Sequence, residues 1–450
     1  MEINEQISTV DVNKAKISYS YFCTPMISLN DNEQNWEKIK ESIKKQYTKL
    51  WFDDNDSDIE TRNELNMLRT SQNFLHGGGL TFPCHRALID DFSLSLKFAE
   101  IDSDRIIISY YPKVNVLQFT LSITVKGVSL STLVYLRQIF CDNPVFKLKD
   151  ESVKDIKIDE NDIAIGRGTW NTVTKNSSYH TGDDVYVSTM GLFHSTLKNL
   201  NLLWNDVQQS FLIEINDLRD LSTADEIEKE EGNAIYGLLS GDEGYNYVPK
   251  SVIEERLENH WGSREFMRYY AFGQGNVLIN LDKGIEYKKY IDRQKDFGGT
   301  FYGDINPYFL IDCELPGVAH GIVFSLEMVM IISTIANRIY QKQEEFQIDG
   351  DHDFGSDIHK TREYRGELIA TLRMVENLGI SEMGELEKMM LASQNIVPLV
   401  DSLKYLLELL ESELNLIYTT NTNRLVNILT IVGLALSAVG VMISVISNFM

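Results

Sequence analysis

Basic residues are scarce in this chain of 450 residues: 42 Lys and Arg stand against 66 Asp and Glu, a net charge of −24. Neutralising phosphates requires a basic face, so this balance sets nucleic acid aside as a partner. Cysteine is sparse too. Cys23, Cys84, Cys141 and Cys313 lie far apart with no C-x-x-C pair, which fits thiols in a reducing compartment and not a disulfide framework. Residues 1–20 lack a basic stretch followed by an apolar one, so no cleaved signal peptide is expected. There is no P-loop, no dinucleotide fingerprint, no G-x-S-x-G and no H-E-x-x-H, which removes the common sequence marks of nucleotide, hydrolase and zinc chemistry. Charge is missing altogether from Leu425 to Met450, so the whole of the −24 falls on residues 1–424.

What is present is ample material for a core, with 43% hydrophobic and 24% charged residues, which excludes a disordered chain. Residues 1–150 read as mixed α/β. Ile17 to Cys23 has strand character, and Trp36, Ile39, Ile43, Tyr47 and Leu50 fall on one face of a helix predicted over Glu33–Trp51. Phe92 to Phe98, Arg105 to Tyr111 and Val114 to Lys126 read as an antiparallel meander, covered by a helix over Ser129–Phe140. Residues 183–209 read as partly helical, Phe211 to Ile215 as a strand and Pro249 to His260 as a helix. A hairpin over Phe266–Leu281 turns at Gly273-Gln274-Gly275. Segments 53–64, 149–162 and 222–232 are acidic or polar and read as loops or solvated helix ends.

The C-terminal part is helical in pattern. Residues 318–336 are long and apolar enough for a membrane span, yet Glu327 at the middle and His320 near the start favour a buried core helix; both readings stay open. A helix is expected from Asp357 to Leu378. Leu403, Leu407, Leu410, Leu414 and Ile417 then form a heptad seam that runs without Gly or Pro into Leu425–Ser447, an apolar stretch long enough to cross a bilayer. The expected fold class is therefore an α+β (α/β) cytoplasmic domain over 1–380, a long helical stalk over 381–424 and a single transmembrane helix over 425–448. Arg424 is the nearest charge before the span, which places the large N-terminal domain in the cytoplasm and the protein in an inner or plasma membrane.

Polar and small residues in the span are not scattered. Asn423, Asn427, Thr430, Gly433, Ser437, Gly440, Ser444 and Ser447 recur at helical spacing on one face, the remaining positions being mostly Leu, Ile, Val, Ala and Met. A helix facing only lipid has no use for such a stripe, so self-association is expected. Two arrangements satisfy it: a tight bundle in which the stripe is packing surface, or a wider ring in which it lines a water-filled path.

The run from the leucine seam through Asn423-Arg424 and Leu429-Thr430-Ile431 into this striped segment resembles the stalk and pore-lining helix of the CorA magnesium-channel family. The resemblance implies a cytoplasmic α/β domain, a pentamer, and a pore faced by Asn427, Thr430, Gly433, Ser437, Gly440 and Ser444, with a divalent cation such as magnesium as the ligand or cargo. The family's Gly-Met-Asn signature is absent, so selectivity for hydrated magnesium does not carry over.

Other chemistry is thin. His76-Gly77-Gly78-Gly79 resembles the oxyanion loop of lipases but has no nucleophile elbow to serve, and a glycine-rich turn is the simpler reading. Asp349, Asp351, Asp353 and Asp357 begin like a calcium loop, but Phe354 and Lys360 occupy the places of the required Gly and Glu; a weak divalent site and a solvated acidic turn stand as alternatives. The functional expectation is a homo-oligomeric, non-enzymatic membrane protein. Its cytoplasmic domain senses a small molecule or ion and its C-terminal helix passes ions. The alternative is a tail-anchored binding, signalling or defence effector protein in contact with membrane lipid. An anchored hydrolase, resting on the HGGG loop alone, comes last.

Overall fold

The structure is a computed structural model that describes residues 10–25, 32–45, 47, 50–52, 84–89, 94–95, 100–139, 146–148, 178–181, 184–187, 189–197, 200, 202–242, 244–281, 316–341, 354–378 and 384–449. Its strands are β1 (Asp11–Pro25), β2 (Leu50–Phe52), β3 (His85–Ile89), β4 (Leu94–Ser95), β5 (Glu100–Tyr111), β6 (Val116–Ser129), β7 (Phe146–Leu148), β8 (Ser178–Thr181), β9 (Asp184–Val187), β10 (Leu202–Leu218), β11 (His260–Arg264), β12 (Met267–Phe272) and β13 (Gly275–Asn280). Its helices are α1 (Asn32–Lys44), α2 (Leu130–Ile139), α3 (Thr189–Leu197), α4 (Ala224–Ser240), α5 (Lys250–Glu258), α6 (Pro316–Gln341), α7 (Phe354–Leu378), α8 (Gly384–Ser393) and α9 (Ile396–Phe449). The chain is α+β, with C-terminal helices following a sheet-based part.

Alternation along the two longest-paired strands explains the main sheet. On β1, Ala15, Ile17, Tyr19, Tyr21 and Cys23 point one way and Lys16, Ser18 and Ser20 the other. On β6, Leu117, Phe119, Leu121, Ile123 and Val125 alternate with Gln118, Thr120, Ser122 and Thr124. The antiparallel register sets Ile17 beside Ile123, Tyr19 beside Leu121 and Tyr21 beside Phe119, so the apolar sets share a face. β10 continues that face on the other side of β1, with Phe211 beside Tyr19 and Ile213 beside Ile17. The strand order is β11-β12-β13-β10-β1-β6-β5-β3-β2, antiparallel throughout except where β10 and β13 run parallel. A second sheet has the order β4-β7-β9-β8.

Helices α1 to α5 all contribute to the core cluster on the apolar face, through residues such as Trp36, Leu133, Phe193, Ile235 and Leu257. Tyr21 carries α3: its ring stacks on Phe193 at 4.9 Å and its hydroxyl lies 2.6 Å from Thr189 Oγ1. Helix α4 is set by Thr223, whose side chain accepts from the Glu226 amide while the Glu226 carboxylate accepts from the Thr223 amide, a reciprocal cap at the helix start. Gly241, at φ +67°, ends the helix in a left-handed conformation that suits glycine. Of the two readings of 222–232, loop or solvated helix end, the loop is corrected: the T-x-x-E cap opens a helix there, with Asp225, Glu226, Lys229 and Glu230 exposed.

Two further expectations are corrected. The helix predicted over Glu33–Trp51 stops at Lys44, and Leu50 and Trp51 belong to β2, since pairing with β3 satisfies their backbone in the sheet. The three-strand meander does not form as predicted: β5 and β6 pair, but Leu94 and Ser95 pair with β7 in the second sheet. The helices at 129–140, 249–260 and 357–378 and the hairpin closing at Gly273–Gly275 agree with the sequence reading within a few residues.

The chain divides into two compact units, Met1–Asn337 with Met374–Val397, and Arg338–Arg373 with Pro398–Met450. The first holds the main sheet. In the second, Ile339, Tyr364, Leu368, Val400, Leu403 and Leu406 are buried, and the Tyr364 hydroxyl donates to the Ile339 carbonyl at 2.7 Å. Leu403, the first position of the heptad seam, is thus covered within its own chain. Helix α9 is continuous over 54 residues, which at 1.5 Å per residue is roughly 80 Å.

Two stability predictions follow from this packing. A Cβ on Gly275 would fall 2.0 Å from the Leu239 carbonyl oxygen, a backbone atom that cannot step aside. Gly275→Ala should therefore cost about 1–3 kcal/mol, read as a lower urea midpoint, unless α4 shifts off β13 without loss. On α3, burial pushes His194 down to about 4 from 6.5. Above pH 6.5 the folded and unfolded chains carry the same neutral ring; as pH falls, the unfolded chain takes up a proton that the fold refuses. Stability should drop by about 1.4 kcal/mol per unit, roughly 2 kcal/mol by pH 5. His194→Gln should remove that slope, and an unchanged slope would place its origin elsewhere.

Candidate functional site

The other face of the main sheet is polar, and much of it is buried. Ser18 and Ser20 of β1, Gln118, Thr120 and Ser122 of β6, Ser109 of β5, Arg86 of β3, Ser210 of β10 and Asn276 of β13 all belong to it by strand alternation and register. Buried polar groups must find partners, and here they bond to one another. The Ser20 and Thr120 hydroxyls lie 2.8 Å apart, Gln118 Nε2 donates to Thr120 Oγ1 at 3.0 Å, and Asn276 Nδ2 donates to Ser210 Oγ at 3.3 Å. Tyr269 completes the β13 end by donating to Asn276 Oδ1 at 2.5 Å.

Helix α6 brings a carboxylate to this face. Glu327 accepts from three strands: from Arg86 Nη2 at 3.4 Å and the Tyr111 hydroxyl at 3.3 Å on Oε2, and from Gln118 Nε2 at 3.0 Å on Oε1. Arg86 also donates through Nε to Ser109 Oγ at 3.2 Å, and its guanidinium lies 5.5 Å from the ring centroid of Phe324, one turn before Glu327 on α6. Burial works against the charge on Arg86, but Cys84, Glu327 and Tyr111 around it hold its pKa above the ordinary value. Burial, then Glu327 and Cys84, push the Tyr111 phenol well above its usual range, so it stays a donor at every physiological pH. Beside the network a narrow cavity of about 50 Å³ is lined by Ser18, Ser20, Thr120, Ser210, Leu326 and Glu327, among others. Phe22, Leu212 and Val323 line it as well, so its surface is more apolar than polar, and its volume is enough for one water molecule.

Among the described residues no group of three His, Cys, Asp or Glu is placed to hold a metal. Asp349, Asp351 and Asp353 lie outside the described residues, as do the side chain of Asp357, on α7, and His76–Gly79. Cys23 and Cys84 are thiols outside any disulfide, while Cys141 and Cys313 lie outside the described residues. Among the described residues one helical segment, Ile322–Tyr340 of α6, is long and apolar enough to cross a membrane, and 78% of that stretch is buried. Core helices meet the same criterion, and Glu327 has its partners on the sheet.

The stripe residues Asn423, Asn427, Thr430, Gly433 and Ser437 all lie on α9 and are exposed. Gly440 and Ser444 continue the same helix, with side chains outside the described set. Thr430 Oγ1 donates to the Val426 carbonyl at 2.7 Å and Ser437 Oγ to the Gly433 carbonyl at 2.8 Å. A Cβ on Gly433 would meet nothing within 4 Å. The apolar residues between them are exposed as well: Leu425, Leu429, Ile431, Leu434 and Leu436 each show at least 60% of their surface.

Sequence reasoning singled out Glu327 but not its partners. The alternation of Gln118, Thr120 and Ser122 with apolar residues was a legible sign of a polar sheet face; that Arg86, Tyr111 and Gln118 converge on one point depends on the register of three strands. Glu327→Ala should leave the Arg86 charge buried without its counter-ion and cost about 3–5 kcal/mol in urea unfolding of the full chain. A loss under about 1 kcal/mol would mean that Arg86 is solvated as well without it. The chain matches no known family, no curated protein and no solved structure.

Proposed function

We propose that this chain is a single-span membrane protein that self-associates through α9 and passes ions in response to a ligand sensed by the sheet-bearing unit. The observation that carries the membrane part is the end of α9. A helix with large apolar side chains exposed around its circumference, and no charge from Leu425 onward, has no stable place in water. Hydrocarbon is the environment that removes this cost, and an unbroken helix satisfies its own backbone there. The exposed small-residue stripe supports close approach of neighbouring copies, with Gly433 leaving room for a facing backbone. The resemblance to the CorA stalk and pore helix supports a conducting ring, with a divalent cation as the expected cargo.

A second reading is favoured by the hydroxyls of Thr430 and Ser437. Both already donate to carbonyls of their own helix, so neither needs an interhelical partner or a water-filled path. On that reading α9 localises and oligomerises a binding or effector protein without conducting.

Purified full-length protein in liposomes loaded with an ion-sensitive dye separates the two. Ion flux that is lost on replacing Gly433, Ser437 and Gly440 with Leu supports the channel. Insertion without flux under every candidate ligand supports the anchor. On either reading the triple replacement should weaken the oligomer in detergent, and an unchanged subunit count would place the self-association elsewhere.

A further inference from the structure

Helix α6 meets the polar face of the sheet through surfaces that do not define its position. Most of its buried residues, among them Ile322, Phe324, Leu326, Met328, Val329 and Met330, are apolar, with Ser325, Ser333 and Thr334 the buried polar ones among the described residues, and attraction between apolar groups has no direction. On the sheet side beside Glu327, the hydroxyls of Ser18, Ser20, Thr120 and Ser210 lie among Phe22, Gln118 and Leu212, and a cavity of about 50 Å³ leaves the packing against α6 incomplete there. Directional contact among the described residues includes two side chains of α6. Ser325 donates to Glu387 of α8 at 3.4 Å, and Glu327 is held by Arg86, Tyr111 and Gln118.

We propose that Glu327 is the register pin of α6, and that the Arg86–Glu327 pair serves to place the helix along the sheet and not to stabilise the fold. The pair is poorly built for stability. It makes one N–O contact at 3.4 Å where a guanidinium and a carboxylate can make two shorter ones. Arg86 Nη1 is buried and has no hydrogen-bond partner among the described residues. A buried pair of this kind is often no better than apolar residues of the same size. What it does supply is discrimination. A slip of α6 by one turn would seat Val323 or Ile331 where Glu327 now sits and leave a buried charge with no counter-ion, whereas apolar residues alone would accept either position. The clamp on Arg86 by Phe324 and Glu327, three residues apart on one helix, would be lost in the same slip.

This inference concerns the sheet-bearing unit alone, and absence of flux in liposomes would leave it untouched. The test uses the full chain in detergent with carbon-13 methyl-labelled methionine, because Met328 and Met330 of α6 are buried reporters of its position. Glu327→Leu alone should lower the folding equilibrium constant at least a hundredfold, and Glu327→Leu with Arg86→Met should restore it to within tenfold of the parent. In that double variant the Met328 and Met330 signals should split or broaden as α6 samples more than one position. Single, unshifted signals in the folded double variant overturn the proposal, as does a double variant no more stable than Glu327→Leu. If the double variant does not fold, Glu327→Gln, which keeps the shape but not the charge, decides the question through the same two signals.

Discussion

The period-two alternation of β1 and β6 is the constraint on which the sheet-bearing unit rests. Because successive side chains point to opposite faces, one pair of strands creates an apolar surface through Ile17, Tyr19, Ile123 and Leu121 and, at the same time, a hydroxyl and amide surface through Ser18, Ser20, Thr120 and Gln118. A register shift of one residue would exchange the two faces, so the pairing is strongly specified. Everything placed on the unit follows from which face it meets: α1 to α5 bury their apolar sides on the first, while α6 lies by the second with a carboxylate.

The polar face explains why an apolar helix carries Glu327. In hydrocarbon this side chain would be costly; here Arg86, Tyr111 and Gln118 surround it with donors. The end of α9 presents the opposite case. The Thr430 and Ser437 hydroxyls donate within the helix, and Leu425, Leu429, Ile431, Leu434 and Leu436 are exposed. The two apolar stretches thus differ in that Glu327 of α6 has buried partners on the sheet.

Elements governed by local rules were legible in the residues. The strands at Ile17–Cys23 and Arg105–Tyr111, the hairpin at Gly273–Gly275 and the helix after Pro249 follow from alternation, turn chemistry and periodicity within a short window. The end of α1 was not, because Leu50 fits the helix pattern equally well and only pairing with Ile89 draws it into a strand. Nor was the fate of Leu94 and Ser95, whose partners lie some fifty residues on at Lys147 and Leu148. The Thr223–Glu226 cap was written in the sequence as T-x-x-E, and the acidic composition around it left loop and solvated helix end as equal readings.

By itself the sequence determined the long uninterrupted C-terminal helix, the uncharged stretch from Leu425 to Met450 and the polar stripe along it, since each depends on spacing within one element. The acidic balance of −24 and the separated thiols likewise needed nothing beyond the residues. Tertiary structure alone decided that Arg86, Tyr111, Gln118 and Glu327 meet, that Leu403 is covered by its own chain, and that Gly275 lies against a helix carbonyl. These are matters of register and packing between segments distant in the chain, and no local preference carries that information.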